Sequence, residues 1–116
     1  MVRVRFAPSP TGSLHLGGAL TAVANRNFAD EHLGVLILRI DDTDASRTEE
    51  GSEAGILRDL DWLGVPFEEG PVRQSERSEL YRAAADRLVE KGAARDDEGP
   101  VRFRSEHEPT LLRADG

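Results

Sequence analysis

The chain has 116 residues, a formal net charge of −7 and no cysteine. That length holds one small domain, and the charge argues against a nonspecific nucleic-acid binder. No apolar run approaches the roughly 20 residues of a membrane span. The opening Met1-Val2-Arg3-Val4-Arg5 lacks the apolar core of an export signal, and the missing cysteines exclude a disulfide framework or thiolate metal site. A cytoplasmic location is therefore expected.

Val2, Val4 and Phe6 alternate with Arg3 and Arg5 until Pro8 and Pro10 stop the run, which predicts a short strand. The loop from Ala7 to Ser13 is rich in turn residues. A helix is predicted from about Leu14 to Glu31, with Leu16, Leu20, Val23 and Phe28, together with Ala19 and Ala24, at helical spacing. Ser13 or Thr11 is the expected cap. Gly34 fits the end of the connection, and Val35–Ile40 is a dense apolar run that suits a strand buried on both faces of a parallel sheet. Strand, helix and strand together make a βαβ unit.

A second helix is predicted over Glu49–Leu63, with Ile56, Leu57, Leu60 and Leu63 on its apolar face and Gly64 as its stop. Gly51 and Gly55 weaken its first half by roughly 1 kcal/mol each relative to alanine. A third helix is predicted over Glu76–Lys91, capped by Ser75 and ended by Gly92, with Leu80, Tyr81, Ala84 and Leu88 along one face. Beyond it, Asp96–Pro100 reads as a turn and Val101–Arg104 as a short strand. Only two parallel strands are evident, an incomplete sheet that reads as a fragment.

Charge is unevenly spread. No acid precedes Asp30, so the first 29 residues carry +3 from Arg3, Arg5 and Arg26; the remaining 12 basic and 22 acidic residues give −10. An anion site such as one for a phosphate chain explains this block, and so does a buried strand and helix that exclude carboxylates.

Three motifs carry chemistry. Ser9-Pro-Thr-Gly-Ser-Leu-His15-Leu-Gly17-Gly18 runs from a strand end into a helix start. In an open α/β sheet ligands bind at the carboxyl ends of strands, and a helix N-terminus there offers free N–H groups to phosphate. Gly17 and Gly18 leave room for a flat base or phosphate, and His15 can donate to a phosphate oxygen; each residue is equally ordinary in a loop. Leu38-Arg-Ile-Asp41-Asp42-Thr43-Asp44 puts three acids after the second strand. One can hold a substrate ammonium; an acidic solvated turn uses the same residues. Asp61-Trp-Leu-Gly64 with Gln74-Ser-Glu-Arg77 and Tyr81 reads as helix ends and packing.

Together these segments resemble the glutamyl-tRNA synthetase family. Arg5-Phe-Ala-Pro-Ser-Pro-Thr-Gly12 and Leu14-His-Leu-Gly-Gly18 look like its form of the class I "HIGH" signature. Leu38–Asp44, Asp61–Gly64, Gly70-Pro71 and Gln74–Arg77 resemble the blocks that follow, in the same order, over roughly residues 3 to 92. The resemblance implies an α/β fold, the N-terminal half of a class I Rossmann-like nucleotide-binding domain with a parallel sheet over residues 1–92. Residues 93–116 would start an inserted connecting region. It implies a glutamate–tRNA ligase present as a fragment, with glutamate, ATP, magnesium accompanying ATP, and tRNA(Glu) as partners, and the rest of the protein completing the site. A paralogue that glutamylates a modified tRNA base shares these blocks, and a noncatalytic nucleotide- or RNA-binding half-domain is the alternative of another class.

Residue by residue, the resemblance implies that Arg5 grips the glutamate side-chain carboxylate, Ala7 and Ser9 line the amino-acid pocket, and Asp41 holds the α-ammonium. Pro8, Thr11, His15, Gly17 and Gly18 would receive ATP, with His15 in the catalytic role. Asp44 and Arg47 would lie near the tRNA 3′ end. No metal ligand is implied, because the cysteines that bind zinc in some relatives are absent. Two positions depart from the family pattern: Asp41 stands where glutamate is usual, and Leu20 replaces a common arginine. No "KMSKS"-like lysine loop is present.

Overall fold

The computed structural model describes residues 1–104. They form two compact units, residues 1–77 and the chain from Ser78 onward. The last part of the expected connecting region, residues 105–116, lies outside the described residues.

The first unit holds β1 (Arg3–Phe6), α1 (Leu16–Glu31), β2 (Val35–Ile40), α2 (Ser52–Trp62) and β3 (Glu69–Arg73), followed by a 3₁₀ turn at Ser75–Arg77. The three strands form one parallel sheet in the order β1-β2-β3, with Arg5 opposite Ile37 and Arg39 opposite Val72. Two successive crossovers of the same hand, stepping the same way across a sheet, put both helices on one side. The core agrees: Phe6, Leu36, Leu38 and Ile40 pack with Ala22 of α1, with Ile56 and Leu60 of α2, and with Val65. Burying Leu36, Leu38, Ile40 and Ile56 contributes about 1.5–3 kcal/mol each.

Strand β2 is therefore buried on one face rather than both. Its residues alternate between half-buried and buried, and Val35, Ile37 and Arg39 share the open face with Arg3 and Arg5 of β1. Arg3 closes an ion pair with Glu69 across that face. A continuous apolar run cannot distinguish one covered face from two.

β3 is a strand that the sequence conceals. Gly70 and Pro71 interrupt it, and a proline inside a run argues against a central strand. It sits at the described edge of the sheet, where a missing N–H is tolerated, with a register shift beside Gly70-Pro71 and a cis bond between them.

α1 occupies the predicted span, but its inner stripe is Ala22, Arg26 and Ala29. Of the expected apolar stripe, Val23 packs against the core, while Leu16 and Leu20 are 86 % and 69 % exposed and Phe28 is also exposed. Small residues let the helix lie close to the sheet, and Arg26 reaches across its lower end. Its Nη1 donates to the Pro66 carbonyl and to both Glu68 oxygens, and its Nη2 donates to Asp30 at 2.7 Å. Glu68 also accepts from the Leu36 N–H at 2.7 Å. Arg26 thus ties α1 to the start of β2 and β3, with its Nε buried and unpartnered among the described residues.

Gly51 is not interior to α2 but precedes it, at φ +80°, where a side chain would be strained. The third helix, α3 (Ser78–Glu90), starts after the 3₁₀ turn, so Ser75 does not cap it; Gly92 ends it at φ +71° as expected. No residue of α3 is buried, and Leu80 is 57 % exposed, so the predicted apolar stripe does not become a core. In this second unit α3 contacts a two-stranded antiparallel hairpin, β4 (Ala94–Asp96) and β5 (Val101–Phe103), joined by the predicted turn.

Candidate active site

All three parallel strands end at one edge. β1 leads into Ala7–His15, β2 into Asp41–Asp44, and β3 into Gln74 and Ser75. This is the carboxyl edge, where open α/β sheets bind ligands.

The first loop is fixed through its backbone. The Pro8 carbonyl accepts from the Asp41 N–H at 2.9 Å, and the Pro10 carbonyl from the Glu49 N–H at 3.0 Å. The Gly12 N–H donates to Ser52 Oγ at 3.0 Å, and the Leu14 N–H to Asp59 Oδ2 at 3.3 Å. Pro10 itself is buried. The loop therefore hangs between the acidic loop after β2 and α2.

Neither Thr11 nor Ser13 caps α1. His15 takes the N-cap position in an extended conformation, with no side-chain hydrogen bond to the helix. The first-turn N–H groups keep their donor capacity because Ser13 and Thr11 both precede the N-cap position and make no hydrogen bond to the helix. Pro8, Ser9, Thr11, His15 and Gly18 line a hollow of ≈ 130 Å³ with Ile56 at its floor. A side-chain carbon at Gly17 would meet nothing within 4 Å. A larger hollow, ≈ 310 Å³, lies at the end of α2 between Leu57 and Phe67; Asp61 and Gly64 of the third motif line it, but no residue of the first two loops does.

The second loop brings its acids into separate partnerships. Arg39 Nε and Nη2 donate to the two Asp41 oxygens at 2.5 and 2.8 Å, and Gln74 Nε2 donates to Oδ1 at 3.2 Å. The Arg39 hydrogen bond, aided by the Arg39 and Arg5 charges, holds the Asp41 carboxyl below the usual range despite its burial. Burial pushes Asp42 up, but the Ser75 hydroxyl and N–H, at 2.6 and 2.9 Å, outweigh it and lower its pKa. Asp44 is lowered chiefly by the Ser46 hydroxyl in a local turn that also takes the Arg47 N–H. No three His, Cys, Asp or Glu side chains converge as a metal site among the described residues.

The Arg5 side chain makes no hydrogen bond or ion pair among the described residues, although it acts on Asp41 through its charge. An uncommitted guanidinium thus stands near a carboxylate already held by Arg39 and Gln74. The arrangement suits a zwitterion with a second carboxylate.

The whole length from residue 1 to 111 matches the family model for "tRNA synthetases class I (E and Q), catalytic domain". The chain belongs to this family. Curated proteins similar to it include glutamate–tRNA ligase 1 of Rubrobacter xylanophilus, 59 % identical over 84 % of this chain and 22 % of that protein. A second is glutamate–tRNA ligase 1 of Caldanaerobacter subterraneus subsp. tengcongensis, 58 % identical over 80 % of this chain and 19 % of its own length. A solved glutamate tRNA ligase from Elizabethkingia meningosepticum, in complex with its amino acid, superposes with a TM-score of 0.76 at 44 % identity, covering 80 % of this chain and 20 % of that one. The chain thus spans about a fifth of the length of these relatives.

The fold brings Arg5, Pro8, Ser9, Thr11, His15, Gly18 and Asp41 to the same sheet edge, while Asp44 and Arg47 lie on an exposed stretch of the second loop. Sequence reasoning overlooked Arg39, Ser52 and Asp59. Arg39 had a signal, since residues two apart on a strand point to the same side. Ser52 and Asp59 had none, because their partners are backbone N–H groups some 40 residues earlier in the chain.

Proposed function

We propose that the chain is the amino-terminal part of the catalytic domain of a glutamate–tRNA ligase. The observation that carries this is the uncommitted Arg5 guanidinium beside the Asp41 carboxylate at the sheet's carboxyl edge. The names of the curated relatives favour the ligase over the base-modifying paralogue.

In this reading the glutamate side chain meets Arg5, its ammonium meets Asp41, and Ala7 and Ser9 line the space between them. ATP enters along Pro8 and Thr11, with its phosphates toward His15, Gly17 and Gly18. The α-carboxylate of glutamate attacks the α-phosphorus, and the bond to pyrophosphate breaks. The terminal ribose hydroxyl of tRNA(Glu) then attacks the glutamyl carbonyl, its proton departs, and AMP leaves. His15 donates toward the phosphate oxygens as charge shifts to the leaving group; positioning and charge stabilisation supply the catalysis. Asp44 and Arg47 stand on the side from which the tRNA 3′ end arrives. A magnesium ion entering with ATP would be held by the phosphates, since Asp41, Asp42 and Asp44 each have separate protein partners. No described helix is long and apolar enough to cross a membrane, and a cytoplasmic place of work goes with this reading.

The test is calorimetric binding of a non-hydrolysable glutamyl-adenylate analogue to this chain. Arg5→Ala should cost about 1.5–3 kcal/mol, the range for a hydrogen bond to a charged group. Unchanged affinity removes Arg5 from the pocket.

A further inference from the structure

We propose that Arg39 and Gln74 are positioning residues that hold the Asp41 carboxylate ready for the α-ammonium of the amino-acid substrate. The inference rests on the reading of Asp41 given above.

Asp41 is held from three directions. Its N–H is tied to the Pro8 carbonyl at 2.9 Å, which fixes the backbone against the first loop. Arg39, two residues earlier on the same side of β2, lays its planar fork on both oxygens. Gln74, just past β3, reaches Oδ1 from the neighbouring strand. An ionised carboxylate has about four acceptor sites. Three N–H groups occupy three of them, and a quarter of the side chain stays exposed. One site remains for one more donor, with its direction already set. An aspartate without these partners would lose rotamer freedom on meeting the ligand. Arg39 also brings a positive charge to the same carboxylate, so the opposite outcome is physically open: it would quench Asp41 and weaken attraction for a cation. Positioning prevails because the pair is half-buried and bidentate, a geometry that fixes direction.

The experiment uses two probes on the full-length protein: the non-hydrolysable glutamyl-adenylate analogue and its counterpart lacking the α-ammonium. Arg39→Met should weaken the first about 10-fold or more, in keeping with a charged hydrogen bond, and leave the second unchanged. Arg39→Lys keeps the charge without the fork and should recover part of the loss. Gln74→Leu should lose about 2- to 5-fold, again only with the ammonium-bearing probe. Thermal unfolding reports whether each variant is folded, and Gln74→Leu and Arg39→Lys carry the test if Arg39→Met is not. Equal losses on both probes, unchanged affinity, or tighter binding by Arg39→Met overturn the positioning role and leave the pocket reading standing. If the unmodified full-length protein binds both probes equally, or neither, Asp41 does not hold the ammonium; the underlying reading then fails and this inference with it.

Discussion

The hydroxyl of Ser52, at the first turn of α2, accepts a hydrogen bond from the backbone N–H of Gly12, forty residues earlier in the first loop. Ser52 is 7 % exposed, and Gly12 holds φ at +120°, where glycine is favoured. The second crossover helix thus shapes the loop made by the first. With Asp59 on the Leu14 N–H, α2 supplies two of the acceptors that keep the loop in place.

Ser52→Ala should therefore act on stability and on ligand binding together. Leaving the Gly12 N–H short of an acceptor costs about 1–3 kcal/mol if water cannot replace it. A fall in urea midpoint with weaker ATP binding is the expected pair of results. A loss of stability with unchanged ATP affinity would show that the loop keeps its form without Ser52.

Two glycine substitutions separate packing from function. At Gly70, with φ +104°, a side-chain carbon would lie 2.2 Å from the Leu38 carbonyl oxygen, so Gly70→Ala should cost upward of about 2 kcal/mol and distort β3. At Gly17 the same carbon meets nothing, and alanine there should stabilise α1 by up to about 1 kcal/mol. If Gly17 lies against the nucleotide, Gly17→Ala raises the thermal midpoint while weakening ATP binding. A variant that is both more stable and equally tight places ATP elsewhere.

Legibility in the sequence followed the range of the interaction. β1, β2, the span of α1 and the glycine stops at Gly64 and Gly92 came from local patterns, and all are present. The buried face of α1 did not. Leu16 and Leu20 look like core residues by hydropathy, yet Ala22, Arg26 and Ala29 are inside because the helix lies close to the sheet. β3 was hidden by Gly70-Pro71, which local rules treat as punctuation. The motif loops could be placed at a strand end from sequence, but their mutual bonds, Asp41 to Pro8 and Gly12 to Ser52, needed the topology that brings three strand ends together.

His15 offers a test in which fold and chemistry part cleanly. Its ring makes no hydrogen bond among the described residues, and the residue is exposed at the N-cap of α1. His15→Ala should leave the thermal midpoint within the range of ordinary surface changes, about 0.5 kcal/mol. Adenylate formation by the full-length protein should fall by about 10²-fold or more, the scale for removing one transition-state donor. An unchanged rate would take the histidine out of the reaction.

Glu68 predicts a pH dependence whose sign is fixed by its partners. The Leu36 N–H, then the Arg26 guanidinium, hold its carboxyl below the ordinary value of 4.5. A carboxylate lowered on folding adds stability that is complete above about pH 4.5 and is lost as pH falls through the lowered value. Glu68→Gln keeps an acceptor for Leu36 but removes the charge facing Arg26. Its side chain is 44 % exposed, so solvent reduces the loss, and about 1 kcal/mol is expected at pH 6. Asp41, Asp42 and Asp44 are also lowered on folding, but they are common to both proteins and cancel in the difference. Urea midpoints should therefore differ at pH 6 and converge as pH falls through the lowered value, below which Glu68 is protonated in both states. A gap that stays constant over that range would mean that Glu68 acts through packing and not through its charge.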